Sequence, residues 1–202
     1  MEKKLTRSQQ KHLDIINAAK EEFIEHGFLA ANMDRITASA EVSKRTLYRH
    51  FESKEILFES VLTIINDSVN ESVSYQFDPD KTTEEQLKAL AYKEIDVLYK
   101  SYGISLARTI VIEFLRQPEM AKNLISNIYS IRAITQWFSA AVEAGRLKSE
   151  DPKLMTEVYV SLFQGLFFWP QIMNLDAELK GEALHQKVDT LTAVFIQSYG
   201  ID

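Results

Sequence analysis

The chain contains no cysteine. Disulfides, thiolate-held zinc, cysteine nucleophiles and thiol redox switches are therefore excluded. Glycine and proline are scarce, six and four among 202 residues, which favours long helices over a loop-rich chain. No stretch approaches the roughly 18 consecutive apolar residues of a membrane-spanning helix. The opening MEKKLTRSQQKHLD has no apolar signal segment, so the expectation is a cytoplasmic chain with neither export nor a membrane span. Histidine is sparse too. His12, His26, His50 and His185 are too scattered to hold a metal by local spacing. Neither a GxxxxGK[ST] phosphate loop nor a Gly-x-Ser-x-Gly elbow occurs. Catalysis is disfavoured on these grounds, and no cofactor is expected.

Apolar residues make up 46 % and charged residues 26 % of the chain, the balance of a folded globular protein. The net charge of -6 opposes bulk nucleic-acid binding. The charge is unevenly spread, however. Residues 1–55 carry ten Lys/Arg against nine Asp/Glu, and the remainder thirteen against twenty. Only the N-terminal quarter is electrostatically tolerant of DNA.

Apolar periodicity predicts helices and almost no strand. SQQKHLDIINAAKEEFIEHG places Leu13, Ile16, Ala19, Phe23 and Ile24 on one face, and Gly27 ends that helix. Asn32 can cap a short second helix, Ser43 a third through about His50, and Ser53 a fourth towards Val73. SYQFDPDKTTEEQ is the best linker candidate. Further helices are expected over 84–102, 106–116, 119–144, 153–174 and 183–199. The division expected is a head over 1–53, a connecting helix over 54–74 and a larger helical domain over 75–202.

On a helical wheel of 100° per residue, Leu47 and Phe51 fall together on the third helix. Arg45 and Arg49 point the other way, with Thr46 beside them and Lys44 and Tyr48 on one flank. Two short helices joined by a tight turn, the second basic, suit a helix-turn-helix. Arginine there can pair bidentately with guanine. Thr46, Tyr48, His50 and Lys54 suit phosphate oxygens. Spacing alone leaves a merely solubilising face equally open.

GFLAANMDRITASAEVSKRTLYRHFESKEILFESVL resembles the N-terminal domain of the TetR family of bacterial transcriptional regulators. The likeness rests on Phe-x-x-x-Gly-Phe, Ile36, Ala40, Val42-Ser43, Thr46-Leu47-Tyr48-x-x-Phe51 and Ser53-Lys54-Glu55-x-Leu57. It implies an all-α fold: a three-helix DNA-binding head, then a larger helical ligand-binding and dimerisation domain. It also implies that Lys44, Arg45, Thr46, Tyr48, Arg49, His50 and Lys54 line the DNA face; Asn32 is counted with them. The chain departs from the family at Glu41, where glycine is usual in the turn and would relieve backbone strain. It departs again at Thr37, where a small alanine is common. IEFLRQPEM and VEAGRLKSEDP resemble the C-terminal domain of AefR-like members.

LMTEVYVSLFQGLFFWPQIMNL is apolar almost all round, so one face needs a partner beyond its own domain. The resemblance implies a homodimer through the last two helices, with Leu162, Gly165, Leu166, Trp169, Leu191 and Phe195 at the interface. It further implies a small-molecule pocket among the middle helices. The aromatic candidates there are Tyr99, Tyr102, Phe114, Trp137, Phe138, Phe163 and Phe167. Arg108, Gln164 and Glu113 are the polar ones. The expected activity is repression at a double-stranded operator, released by a small apolar or aromatic effector. A protein partner docked on the C-terminal domain is the alternative.

Overall fold

Thr6 opens the chain's first helix as a reciprocal cap. Its hydroxyl accepts from the Gln9 amide, and the Gln9 side chain accepts from the Thr6 amide. The computed structural model describes residues 6–72, 75–122, 131–173 and 179–201. Helix α1 spans Arg7–Ala30 and breaks at Gly27, whose φ of 69° only glycine adopts at little cost. Helices α2 (Met33–Ser39), α3 (Lys44–His50) and α4 (Lys54–Ser72) follow. The expected caps form: Asn32 accepts from the Asp34 amide at 2.7 Å, Ser43 from Thr46 at 3.1 Å, and Ser53 from Ile56 at 3.2 Å.

Helix α5 (Thr83–Asp96) is capped by Thr82 and runs into a π-helical turn, Val97–Tyr102. Helix α6 covers Ile104–Arg116, and residues 118–122 open a further turn. The helix expected over 119–144 resumes as α7 (Ile131–Glu143); residues 123–130 lie outside the described set. Asp151 caps α8 (Pro152–Phe163).

The helix expected over 153–174 is not continuous. A π-helical turn, Gln164–Phe168, separates α8 from α9 (Trp169–Ile172). Pro170 supplies the reason. It has no N–H for the carbonyl of Leu166 one turn back, and its ring crowds that carbonyl. The Trp169 amide reaches Gln164 instead, and the Lys187 ammonium donates to the Leu166 oxygen at 3.3 Å. Helix α10 (Gly181–Tyr199) supplies that lysine. Among the described residues there is no strand beyond one isolated bridge, Leu147 with Gly200.

The chain packs as two units. One holds residues 1–68 with 105–128; the other holds 69–104 with 129–202. In the first, Ile15, Ile16, Phe23, Ile36, Leu47, Phe51, Phe58 and Leu62 form the core. Phe23 meets Phe58 edge-on at 5.0 Å. Thr109 of α6 donates to the Phe23 carbonyl at 3.4 Å. In the second, Leu90, Trp137, Phe138, Tyr159, Phe167, Val188 and Phe195 are buried. Lys88 of α5 joins it to α10 through Asp189 at 2.8 Å. No helix among the described residues is long and apolar enough to cross a membrane.

Candidate nucleic-acid interface

Two buried side chains set the aim of α3. Leu47 and Phe51 are 0 % and 1 % exposed, and burying each stabilises the head by about 1.5–3 kcal/mol. With those two inward, Lys44, Arg45, Tyr48 and Arg49 stand in solvent, and Thr46 and His50 are half-buried. Among the described residues neither Arg45 nor Arg49 makes a hydrogen bond or ion pair. Their guanidinium groups therefore need shed only water to meet a base edge. Lys44 is already engaged: its ammonium lies 2.7 Å from Asp34 on α2, and that hydrogen bond raises its pKa.

The turn before α3 is tight. The Val42 amide donates to the Thr37 carbonyl at 3.0 Å and the Glu41 amide to Ala38 at 3.2 Å. Glu41 has φ of 50°, the left-handed region, and is the one non-glycine residue there among the described residues. The strain expected from the sequence is present. Thr37 is buried, its hydroxyl satisfied by the Asp34 carbonyl at 2.8 Å.

A latch that the sequence did not announce fixes the start of α2. Glu22 on α1 is buried. Its carboxylate accepts from Arg35 Nε at 3.0 and 3.1 Å and from the Asn32 amide at 2.8 Å. Burial pushes the Glu22 pKa up, but the Arg35 and Asn32 hydrogen bonds outweigh it and hold the carboxyl below its ordinary range. Lys54 secures the same corner. Its ammonium donates to the carbonyls of Leu29 at 3.1 Å and Ala31 at 3.2 Å, and sits 4.8 Å from the Phe28 ring centre. A phosphate at Lys54 would share that ammonium with two backbone oxygens.

His50 packs beside His12 at 5.6 Å, and His12 stacks on Phe51 at 4.8 Å. Burial, and after it the charges of His12, Arg49 and Lys11, lower the His50 pKa. The imidazole is thus biased towards the neutral form.

The second unit has a recess of about 160 Å³ lined by Tyr75, Gln86, Leu90, Lys93 and Trp137 among others. It also exposes large apolar side chains along α8 and α9: Leu154, Trp169 and Met173 are 46 %, 41 % and 59 % exposed. Gly165 is exposed as well, and among the described residues no atom beyond its own stretch of helix lies within 4 Å of where its Cβ would stand.

The profile of bacterial regulatory proteins of the tetR family matches residues 15–61. That of the AefR-like transcriptional repressor C-terminal domain matches residues 85–201, more than half of the chain. The chain belongs to the TetR family. It is similar to the HTH-type regulator QacR of Staphylococcus aureus, 34 % identical over 176 residues, 82 % of this chain and 89 % of QacR. A solved TetR family regulator from Pseudomonas syringae pv. tomato superposes with TM-score 0.81 at 33 % identity, over 98 % of this chain and 100 % of that one. The flavonoid-responsive regulator FrrA superposes with TM-score 0.75 at 27 % identity, over 95 % and 97 %. Such coverage extends the likeness to both units. A TetR family chain is a DNA-binding helix-turn-helix regulator, and the head described above is its DNA-binding element.

The remaining candidates divide. Trp137 alone of the aromatic and polar candidates lines the recess. Phe138 stacks on Phe195 at 4.9 Å inside the core, and Phe163 meets Phe167 at 5.1 Å. Tyr99 and Tyr102 lie half-buried in the first π turn and Gln164 half-buried in the second. Arg108 and Phe114 are on α6, in the first unit. Glu113 is buried and paired with Arg116 at 3.0 Å. Leu191 and Phe195 are 0 % exposed within the single chain, packed in the core of the second unit. Leu162, Leu166, Gly165 and Trp169 retain some exposed surface.

Proposed function

We propose that this chain is a homodimeric repressor in the cytoplasm that binds a double-stranded operator and leaves it when a small aromatic effector enters the second unit. The observation carrying the DNA part is the pair of unengaged guanidinium groups, Arg45 and Arg49, on a helix anchored by Leu47 and Phe51. They sit four residues apart on one face, where each can take a guanine O6/N7 edge. Lys44, Tyr48, Thr46 and His50 flank them and suit the phosphates that set register.

One head reads one half-site weakly. Two heads on half-sites one helical turn apart, about 34–36 Å, supply the rest. The exposed apolar side chains along α8 and α9 support pairing of two copies. The aromatic wall of the recess supports an aromatic effector, and FrrA, a relative in fold, is named for flavonoids. An effector lowers operator affinity only by its differential affinity for the bound and released states, commonly about 1–3 kcal/mol.

The test is binding of the purified protein to a labelled fragment from upstream of its own gene, at fixed salt, against random-sequence competitor. Competitor-resistant binding that Arg49→Ala weakens supports the reading. Binding no better than to random DNA, there and in a genome-wide selection, overturns it. A purified protein that is dimeric and operator-bound yet indifferent to every small molecule would favour a protein partner on the second unit.

A further inference from the structure

Among the described residues, Glu94 is an acid without a cation. It lies on α5 one residue past Lys93 and one turn past Leu90, both of which line the recess. Its one hydrogen bond among the described residues comes from the Tyr75 hydroxyl. Tyr75 is itself a wall of the recess, so it joins the open space to the half-buried carboxyl. Burial raises the pKa of Glu94 against the pull of that hydrogen bond. A second acidic group, Tyr159, packs against Phe138 at 5.9 Å, and Phe138 in turn meets the recess wall Trp137 at 5.3 Å. Tyr159 is 0 % exposed, and its hydroxyl has no hydrogen-bond partner among the described residues. Burial raises its pKa well above the ordinary phenol value, and the charge of Glu94 adds to the effect.

The polar atoms facing the Glu94 carboxyl are the Tyr75 and Tyr159 oxygens; the nitrogen of the buried Gln86 amide is occupied, donating to the Asp78 carbonyl at 2.8 Å. An unsatisfied buried hydroxyl and a carboxylate with a single donor both cost free energy unless a donor arrives. The surroundings are aromatic: Trp137 is 3 % exposed and has Phe77 against it at 5.7 Å. Ring faces attract cations. The charges at the rim divide evenly. Asp78 pairs with Lys81 at 3.1 Å, Glu85 caps α5, and the exposed Lys93 stands 5.6 Å from the Tyr75 ring centre.

Resting on the reading of the second unit as an effector sensor, we propose that this recess is the mouth of a site for an aromatic amine. Its ammonium takes the place of the Tyr75 hydroxyl on Glu94 and gives a further N–H to the Tyr159 oxygen. A primary ammonium has three donors and no acceptor, which suits a carboxylate beside an unpartnered phenol oxygen. Trp137 flanks the ring. The recess is smaller than the roughly 300–1,000 Å³ of drug-sized sites. A single ring on a short linker fits, and a larger body requires Tyr75 to swing aside.

The test is calorimetric titration of the full-length protein with 2-phenylethylammonium and, separately, its neutral analogue 2-phenylethanol. The amine should bind about ten- to a hundredfold more tightly, the range of a charge-assisted hydrogen bond. Glu94→Gln should erase that preference while leaving the alcohol unchanged. Tyr75→Phe, which removes the competing donor, should tighten the amine. Tyr159→Phe should weaken it with the preference for amine over alcohol reduced. Equal affinity for the two compounds, no binding of the amine, or an undiminished preference in Glu94→Gln would each overturn the proposal. Release of operator DNA is read in a separate gel-shift titration. Amine binding without release would sink the sensor reading and leave the site standing; release by neutral aromatics alone would do the reverse.

Discussion

At the scale of single residues, the DNA face separates into side chains that are free and side chains that are already employed. Among the described residues Arg49 makes no hydrogen bond or ion pair, so Arg49→Ala removes mainly what it gives to DNA, along with its charge beside His50. The expected cost is about 1–3 kcal/mol of operator affinity, with preference relaxed at one base position. Titrations against an operator variant series read both. Lys54 is employed, holding the carbonyls of Leu29 and Ala31. Lys54→Met should lower stability by about 1–2 kcal/mol through the lost hydrogen bonds and ring contact. A thermal melt without DNA measures that. If the melt is unchanged and only the salt slope of DNA binding falls, Lys54 is a phosphate contact and nothing more. Glu41 is strained rather than employed. Its φ of 50° costs a residue with a Cβ about 1–2 kcal/mol, and glycine's larger unfolded-state entropy takes back part of any gain. Glu41→Gly should therefore stabilise the head by about 0.5–1 kcal/mol.

At the scale of elements, the head was legible because its signals are local. Caps at Asn32, Ser43 and Ser53, the Leu47/Phe51 pair and the turn at Glu41 all lie within a few residues of what they control. What escaped reading depends on distance. Glu22 reaches Arg35 thirteen positions away, and on sequence it was one of several acids along α1. The packing of α6 with the head is non-local too. Among the ligand candidates only Trp137 reaches the recess, because aromatic composition does not distinguish a core wall from a cavity wall. Tyr75 and Glu94 were hidden for the same reason. The Glu22 latch carries a pH signature. A carboxyl whose folded pKa is depressed stabilises fully above its ordinary unfolded range and loses that contribution as pH falls through the folded value. Glu22→Gln should lower the melting temperature near neutrality, and the gap to the parent chain should close on acidification. A gap that stays constant from neutral to acid pH would mean the pair contributes shape alone.

At the scale of the whole molecule, Gly165 offers a way to separate folding from assembly. Among the described residues a Cβ there meets no atom beyond its own stretch of helix within 4 Å, and glycine inside a helix costs about 0.8–1.0 kcal/mol relative to alanine. A larger residue at that position should leave the fold intact or firmer. On the proposed dimer face the same glycine lets two backbones approach closely, with Leu162, Leu166 and Trp169 around it. Gly165→Arg then places a long cation in an apolar seam, where no partner waits to pair it. The expected outcome is a sedimenting monomer with an unchanged helical circular-dichroism spectrum. Its operator affinity should collapse towards that of one half-site, because two heads no longer share one binding event. A Gly165→Arg protein that still sediments as a dimer would move the interface off α8 and α9. A monomer that keeps full operator affinity would instead remove the need for paired heads, and with it the half-site spacing argued from the dimer.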